Sequence, residues 1–216
     1  HTAYRRQRQM CIRDSINTSY IEKENLPTAF NFIREKVEAG GQTIIVYPLI
    51  NESEKQDLSA AVESYEYLRD NIFPDLTVGL MHGKLEDESK NLEMNNFMNG
   101  DIDILVSTTV VEVGIDNPNV NVMLINNSER FGLSQLHQLR GRVGRGTTES
   151  YCLLCSDSES PKTKERLSII VNSRNGFEIA DEDLKLRGPG EFFGEKQSGF
   201  VKFKIADLIT DGPITV

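Results

Sequence analysis

Short apolar runs alternate with longer amphipathic segments along this chain. The runs are rich in Ile, Val and Leu and are too short for helices, so they predict buried strands at 43–47, 77–81, 102–107, 120–125 and 150–154. The segments between and after them repeat apolar residues at helical spacing and predict helices at 26–39, 56–73, 86–98, 133–143, 160–173 and 177–186. Strands that alternate with helices indicate an α/β fold, a parallel sheet with helices on both faces.

The helix predicted at 86–98 has a small set of apolar residues at one side. We place Leu92, Phe97 and Met98 on its buried side, and Gly100 ends it. In sheets of this kind ligands bind beyond the carboxyl ends of the strands. We therefore expect the segments at 107–116 and 133–143, which both follow strands, to meet at that edge.

The charge balance argues against binding nucleic acid through a general positive field. The net charge is −9, and residues 1–15 hold four Arg and one Asp, so the remainder carries −12 (−9 minus +3). Any DNA contact must come from local patches and backbone amides. No apolar run approaches the ~20 residues that a membrane span needs, so no membrane partner is expected.

Three cysteines are present, Cys11, Cys152 and Cys155, and no secretory signal precedes them. An odd count without a signal peptide indicates a reducing, cytoplasmic location. Cys152 and Cys155 have C-x-x-C spacing, but they lie in the apolar run YCLLC and no second Cys/His pair accompanies them. That pattern favours a buried strand over a metal or redox site, so we predict no metal ligand in this chain.

The most informative stretch is QLHQLRGRVGRG, residues 135–146. Ser134 is a candidate N-cap for the helix that leads into it. Gln138, Arg142 and Arg145 are spaced by four and then three residues, which predicts that they share one helical face. Guanidinium groups are always charged and fit phosphate oxygens, so the pattern suits stabilising charge on a transferring phosphoryl group. The alternative is a solvated basic helix end.

A second run, TTVVEVGID at 108–116, follows a predicted strand. The hydroxyls and free amides of Thr108 and Thr109 at a helix start would form an anion site, with a nucleic-acid phosphate as guest. Ordinary N-capping is the alternative.

Residues 138–145, QLRGRVGR, resemble motif VI of superfamily 2 helicases, and the longer run at 129–146 resembles the RecG family of DNA helicases. The run at 108–116 resembles helicase motif V. The resemblance implies a RecA-like domain in which Arg142 and Arg145 reach ATP phosphates and Gln138 orients them. It also implies that Gly114 and Asp116 lie at the nucleotide and that Thr108 and Thr109 touch the DNA backbone.

The stretch at 176–199 resembles the TRG element (translocation in RecG), a helical hairpin and loop that couples ATP state to movement on duplex DNA. We choose Arg187 and Gln197 as its coupling residues. The form RGPGE at 187–191 looks more like RecG than like the transcription-repair coupling factor Mfd. The alternative for the loop is a surface linker, since five residues of 187–199 are Gly or Pro.

These resemblances divide the chain into a non-native or disordered leader (1–15), a helicase C-terminal RecA-like domain (16–156), the TRG hairpin and loop (157–200) and a truncated tail (201–216). No G-x-x-x-x-G-K-[ST] phosphate loop occurs. We therefore expect the C-terminal motor half of an ATP-dependent DNA helicase, inactive alone because the P-loop domain is absent.

The intact enzyme is expected to remodel branched double-stranded DNA, such as stalled forks and Holliday junctions, in repair and recombination. It would use ATP, with Mg²⁺ held mainly by the missing domain, and the missing N-terminal RecA-like and wedge domains would be partners in cis. We expect a monomer. Two alternatives stay open: an Mfd-like translocase fragment, and a non-catalytic RecA-like module that binds DNA or protein.

Overall fold

The computed structural model describes residues 16–48, 54–108, 117–146, 148–173 and 175–187. Six strands form one sheet, in the spatial order β1-β6-β5-β2-β4-β3, and every pairing between neighbours is parallel. The strands are β1 (Asn17–Glu22), β2 (Gln42–Val46), β3 (Val78–Met81), β4 (Ile104–Ser107), β5 (Val120–Ile125) and β6 (Tyr151–Ser156). The predicted parallel α/β sheet is confirmed, and β1 is a strand that the sequence pattern missed.

The central strands carry apolar side chains on both faces, as expected for a sheet covered on both sides. In β2, Ile44 belongs to one buried cluster and Ile45 to the other. Both side chains are fully buried. All six residues of β5 are buried as well. A parallel sheet of this kind needs helices over each face, because a strand that is apolar on both sides would otherwise expose half of its side chains to water.

Within the described residues, six α-helices supply that cover: α1 (Leu26–Glu38), α2 (Glu54–Tyr67), α3 (Asp87–Asn99), α4 (Leu133–Arg140), α5 (Pro161–Asn172) and α6 (Gly176–Arg187). A five-residue π-helical turn, Leu68–Ile72, extends α2. Residues of α1 and of this turn pack on one face, and residues of α3, α4, α5 and α6 pack on the other. Helices therefore lie on both faces of the sheet, as predicted.

The predicted apolar side of α3 is wrong in part. Phe97 is fully buried, but Leu92 is 61% exposed and Met98 is 40% exposed. Phe97 and the half-buried Met94 make the contact with the core instead. The reason is that α3 has few apolar residues and covers the sheet near its β3 edge, so one large side chain supplies most of its burial.

The helices that follow the last strand share the core of the sheet. Leu167 and Ile170 of α5 and Ile179 of α6 are at most 1% exposed and belong to the same cluster as Ile44 and Leu105. The predicted hairpin helices are thus present and packed on the parallel sheet. The division of the chain after residue 156 stays a prediction, and the loop part of the predicted TRG element, 188–200, lies outside the described residues, as do the leader 1–15 and the tail 201–216.

Candidate nucleotide and DNA site

The motif helix α4 is held by three leucines at helical spacing. Leu133, Leu136 and Leu139 are at most 1% exposed and pack into the core beneath the sheet. The helix begins after Gly132, whose N–H donates to the side-chain oxygen of Gln135 at 3.0 Å. The predicted N-cap, Ser134, is therefore inside the helix and exposed, because the N-cap position is occupied by Gly132, two residues earlier.

The prediction that Gln138, Arg142 and Arg145 share one helical face is wrong. The helix ends at Arg140, and only Gln138 of the three lies on it. The amide of Arg142 donates to the carbonyl of Leu139 at 2.9 Å, which closes a last turn, and Gly144 then has a φ of 77°. A glycine in the left-handed region redirects the chain, so Arg145 leaves the helix axis. Gln138 and Arg145 are exposed and Arg142 is half-buried.

The arginine end of the motif lies at the amino-terminal edge of the sheet, opposite to the edge that we predicted. Arg145 and Gly146 line a depression of about 440 Å³ together with Gly41, which precedes β2, and with Pro118, which precedes β5. Because α4 follows one parallel strand and precedes the next, it runs from the carboxyl ends back to the amino ends, and its C-terminal residues arrive at the amino edge.

Gly146 fixes this arrangement through close approach. A Cβ atom at position 146 would lie 2.4 Å from the carbonyl oxygen of Pro118. Only glycine lets the two backbones come so near. The segment after motif VI is thus in contact with Pro118, which follows Asp116 by two residues in the sequence.

The predicted DNA-contacting residue Thr108 lies at the other edge. It follows β4 directly, and its amide donates to the carbonyl of Met81 at the end of β3. Its side chain is 2% exposed, and Oγ1 has no hydrogen-bond partner among the residues that the structure describes. Thr109, Gly114 and Asp116 lie outside the described residues, so their roles stay predictions.

The two edges are joined by one stretch of chain. Thr108 stands at the carboxyl end of β4, and Asn117 stands just before the amino end of β5, so the eight residues between them connect the two edges. The predicted DNA contact and the predicted nucleotide contact are therefore at opposite ends of the motif V segment.

Comparisons with known proteins decide the family. Residues 24–147, more than half of the chain, match the family model "Helicase conserved C-terminal domain". The chain belongs to this helicase family. Residues 173–215 match a second model, "ATP-dependent DNA helicase RecG, domain 3, C-terminal". The first match includes the strands β2 to β5, and the second includes the helix α6.

Curated relatives of this helicase domain carry the name "ATP-dependent DNA helicase RecG". The chain is 52% identical to the protein of Thermotoga maritima and 51% identical to that of Synechocystis sp., over 92% of its own length in each case. It is 47% identical to the Bacillus subtilis protein over the same share. The chain spans about a quarter of the length of these relatives, at 26%, 24% and 29%. The predicted resemblance to RecG is confirmed.

Solved structures agree on the fold. The structure "RecG bound to three-way DNA junction" superposes with a TM-score of 0.72 at 48% identity, over 94% of this chain and 26% of that one. The structure "Mss116p DEAD-box helicase domain 2 bound to an RNA duplex" gives 0.54 at 22% identity, over 79% and 69%. The second likeness shows the fold alone, the RecA-like fold of a second helicase domain.

Sequence reasoning missed Arg140, which binds the motif helix to the helices after the sheet. Its guanidinium donates to the carbonyls of Ile170 and Ser173, both at 2.7 Å, and lies 2.9 Å from Nδ1 of His137. These carbonyls end α5, where the helix dipole favours a cation. The residue is only 6% exposed. Its position seven residues after Leu133 places it on the buried side of α4, and that spacing was the available signal.

His137 and Gly176 complete this contact. Burial, and then the nearby Arg140 cation, lower the pKa of His137, so its ring is neutral and Nδ1 can accept a hydrogen bond. A Cβ atom at Gly176, the first residue of α6, would lie 2.9 Å from Nε2 of His137. On the other side, Arg166 of α5 donates to the carbonyls of Phe131 and Glu129. The motif helix is thus tied to the hairpin at both of its ends.

The two described cysteines do not form a joint site. Cys152 belongs to the cluster on one face of the sheet and Cys155 to the cluster on the other. Burial raises the pKa of the Cys152 thiol to about 12 and that of Cys155 to about 11. Residues three apart on a strand point to opposite faces, so the C-x-x-C spacing here is structural. Within the described ranges no group of three or more His, Cys, Asp or Glu side chains could hold a metal ion, and no helix is long and apolar enough to cross a membrane.

Proposed function

We propose that this chain is the second motor domain, with its helical hairpin, of an ATP-dependent DNA helicase of the RecG type that remodels branched DNA. The family matches support this, as do relatives at 47–52% identity that are named RecG. The similar solved protein was bound to a three-way DNA junction, which supports branched double-stranded DNA as the partner. The match of residues 173–215 to the RecG model favours RecG over an Mfd-like translocase.

The observation that carries the proposal is the contact between Gly146 and Pro118. It brings Arg145 beside the turn that follows Asp116, the residue expected at the nucleotide. In this proposal Arg142 and Arg145 contact the phosphates of ATP, Gln138 orients them, and Gly114 and Asp116 line the nucleotide. The guanidiniums supply fixed positive charge where negative charge develops on the phosphoryl oxygens, which is worth ~10³-fold or more in turnover in related enzymes.

The other wall of this nucleotide pocket belongs to a P-loop domain. That domain also holds most of the Mg²⁺ ligands, since a phosphate loop and an acidic magnesium site are absent from this sequence. The 216-residue chain by itself therefore does not hydrolyse ATP. Addition of the separate P-loop domain restores hydrolysis, whereas a non-catalytic binding module would stay inactive in the mixture.

DNA movement is proposed to arise at the opposite edge. Thr108 and Thr109 are proposed to contact the DNA backbone there, and closure on ATP shifts them along it. Because Thr108 is only 2% exposed, its part in this contact requires that shift to expose it. Arg187 and Gln197 of the TRG element transmit this movement to the DNA duplex. The hydrogen bonds of Arg140 and Arg166 support this, because they bind the motif helix rigidly to the hairpin that ends at Arg187. The protein acts as a monomer in the cytoplasm.

The decisive variant is Arg142→Ala in the full-length protein. The rate of DNA-stimulated ATP hydrolysis, measured by a phosphate-release assay, is expected to fall by ~10³-fold or more. Arg69→Ala is the matched control, because Arg69 is an exposed arginine paired with its neighbour Asp70 beyond α2. Near-normal turnover in Arg142→Ala would reject the proposed function.

A further inference from the structure

Two buried side-chain amides lie beneath the amino edge of the sheet. Gln42 is 5% exposed and Asn117 is 1% exposed. Asn117 Nδ2 donates to Gln42 Oε1 at 3.0 Å and to the carbonyl of Phe97 at 3.3 Å. Gln42 Nε2 donates to the carbonyls of Phe97 at 2.7 Å and Ile102 at 2.6 Å. The pair therefore joins the end of α3 and the start of β4 to the residue that follows the motif V segment.

The same amides shape the turn before β5. Asn117 Oδ1 accepts from the amide of Asn119 at 3.0 Å, and the carbonyl of Asn117 accepts from the amide of Val120 at 3.3 Å. The amide of Gln42 donates to the carbonyl of Asn119 at 2.8 Å. Pro118 sits in the middle of this turn, so its carbonyl oxygen is held in a fixed place.

Pro118 is the residue that a side chain at position 146 would meet first. A Cβ atom at 146 would lie 2.4 Å from its carbonyl oxygen, and Arg145 precedes Gly146 in the chain. The fixed turn is thus the surface on which the arginine segment rests. A shift of Pro118 would carry Arg145 with it or open the contact.

We propose that Asn117 is a positioning residue for ATP hydrolysis: with Gln42 it fixes the Pro118 turn, and through Gly146 it sets the place of Arg145. This inference rests on the proposed function and names a part of its machinery.

Stability alone does not explain a buried amide pair. Replacing both partners of a buried hydrogen bond by apolar groups of similar shape is often nearly neutral for folding. What apolar groups do not supply is direction, since each amide here has defined donor and acceptor partners. Because the groups are neutral, their effect is also independent of pH.

The test uses the full-length protein with Asn117→Leu, Gln42→Met and the double variant. Each single change removes the amide pair while keeping side-chain size. We expect kcat/KM for ATP, measured with saturating DNA, to fall about 10- to 100-fold, because a displacement of about 1 Å in catalytic geometry can cost 10²-fold. The double variant is expected to lose about as much as either single, since the two amides act as one unit. Affinity for branched DNA should change less than about twofold.

A stability control separates positioning from general damage. Ile33 is fully buried in the hydrophobic cluster on one face of the sheet, whereas Phe97, whose carbonyl accepts from both amides, belongs to the cluster on the other face. Ile33→Val should lower the melting temperature and leave kcat/KM within about twofold. If Asn117→Leu fails to fold, Gln42→Met breaks the same hydrogen bond from the opposite partner and is measured alone.

The outcomes distinguish this inference from the function on which it rests. Loss of hydrolysis in Arg142→Ala with normal kcat/KM in Asn117→Leu or Gln42→Met overturns the positioning role and leaves the motor assignment intact. Losses in the two single variants that add in the double variant also overturn it, because independent effects indicate damage and not a shared anchor. Normal hydrolysis in all of these variants overturns both.

Discussion

Gly146→Ala is the change that probes the assembled site most sharply. The new Cβ would lie 2.4 Å from the carbonyl oxygen of Pro118, whereas ordinary contact begins at 3.4 Å. The two backbones must therefore separate by about 1 Å (3.4 − 2.4). The Pro118 turn does not move easily, because it is held by the buried amides of Gln42 and Asn117.

Such overpacking costs about 1–3 kcal/mol. For a domain of this size each kcal/mol lowers the melting temperature by about 2–4 °C, so a loss of about 2 kcal/mol corresponds to about 4–8 °C. The effect on catalysis is larger, because Arg145 moves with Gly146. A displacement of about 1 Å is expected to lower DNA-stimulated ATP hydrolysis by the full-length protein up to about 10²-fold.

The stability control is Gly141→Ala, five residues earlier in the same motif. There a Cβ would lie 3.3 Å from the nearest backbone oxygen, that of Gln138, and the backbone is helical at φ −67°. Alanine fits this conformation, so the free energy of unfolding should change by less than about 1 kcal/mol. Differential scanning calorimetry and a phosphate-release assay are the measurements. An unchanged melting temperature with hydrolysis within twofold of wild type for Gly146→Ala would refute the contact and the placement of Arg145.

Three further predictions follow from buried groups. Arg140→Met leaves the carbonyls at the end of α5 without their donor, so the free energy of unfolding measured with denaturant should fall by about 2–4 kcal/mol. A decrease below about 0.5 kcal/mol would contradict a stabilising role for these hydrogen bonds. Cys152 and Cys155, with thiol pKa values raised to about 12 and 11, should resist iodoacetamide at pH 8 until the chain unfolds, as peptide mass spectrometry would show; rapid labelling of native protein would contradict their burial. The folded pKa of His137 lies below its unfolded value of 6.5, so its contribution to stability is complete above about pH 6.5 and is lost as the pH falls below that value. Below pH 6.5 the urea midpoint should therefore drop less for His137→Asn than for wild type. Parallel curves of urea midpoint against pH for the two proteins would contradict this prediction.

The hydrophobic pattern predicted most of the scaffold because buried parallel strands and amphipathic helices have distinct periods. It missed β1, since NTSYIE is an edge strand with no fully buried residue, so its sequence lacks an apolar run. Periodicity also predicted that the motif helix ends at residue 143, three residues beyond its observed end at Arg140. The glycines of RGRVGRG interrupt the helix after Arg140, and the spacing of Gln138, Arg142 and Arg145 cannot reveal that.

The site was harder to predict than the scaffold, because its contacts are long-range. The residue types of motifs V and VI predict contacts with phosphate, but the edge of the sheet at which the arginines lie depends on the direction of α4. Gln42 and Asn117 are 75 residues apart, so no local pattern shows that their amides meet. Arg140 has no predicted role from the motif, although its spacing from the leucines places it on the buried face of α4.

The central claim is that Arg142 stabilises charge that develops on the transferring phosphoryl group. The most direct test compares the affinity of the DNA-bound full-length protein for ADP–aluminium fluoride, which imitates that charge, with its affinity for ATP. A group that acts in the transition state contributes more to binding the analogue than to binding the substrate. Arg142→Ala should weaken binding of the analogue by about 10²-fold or more while ATP binding changes by less than about fivefold. Equal weakening of both, or of neither, would contradict the account.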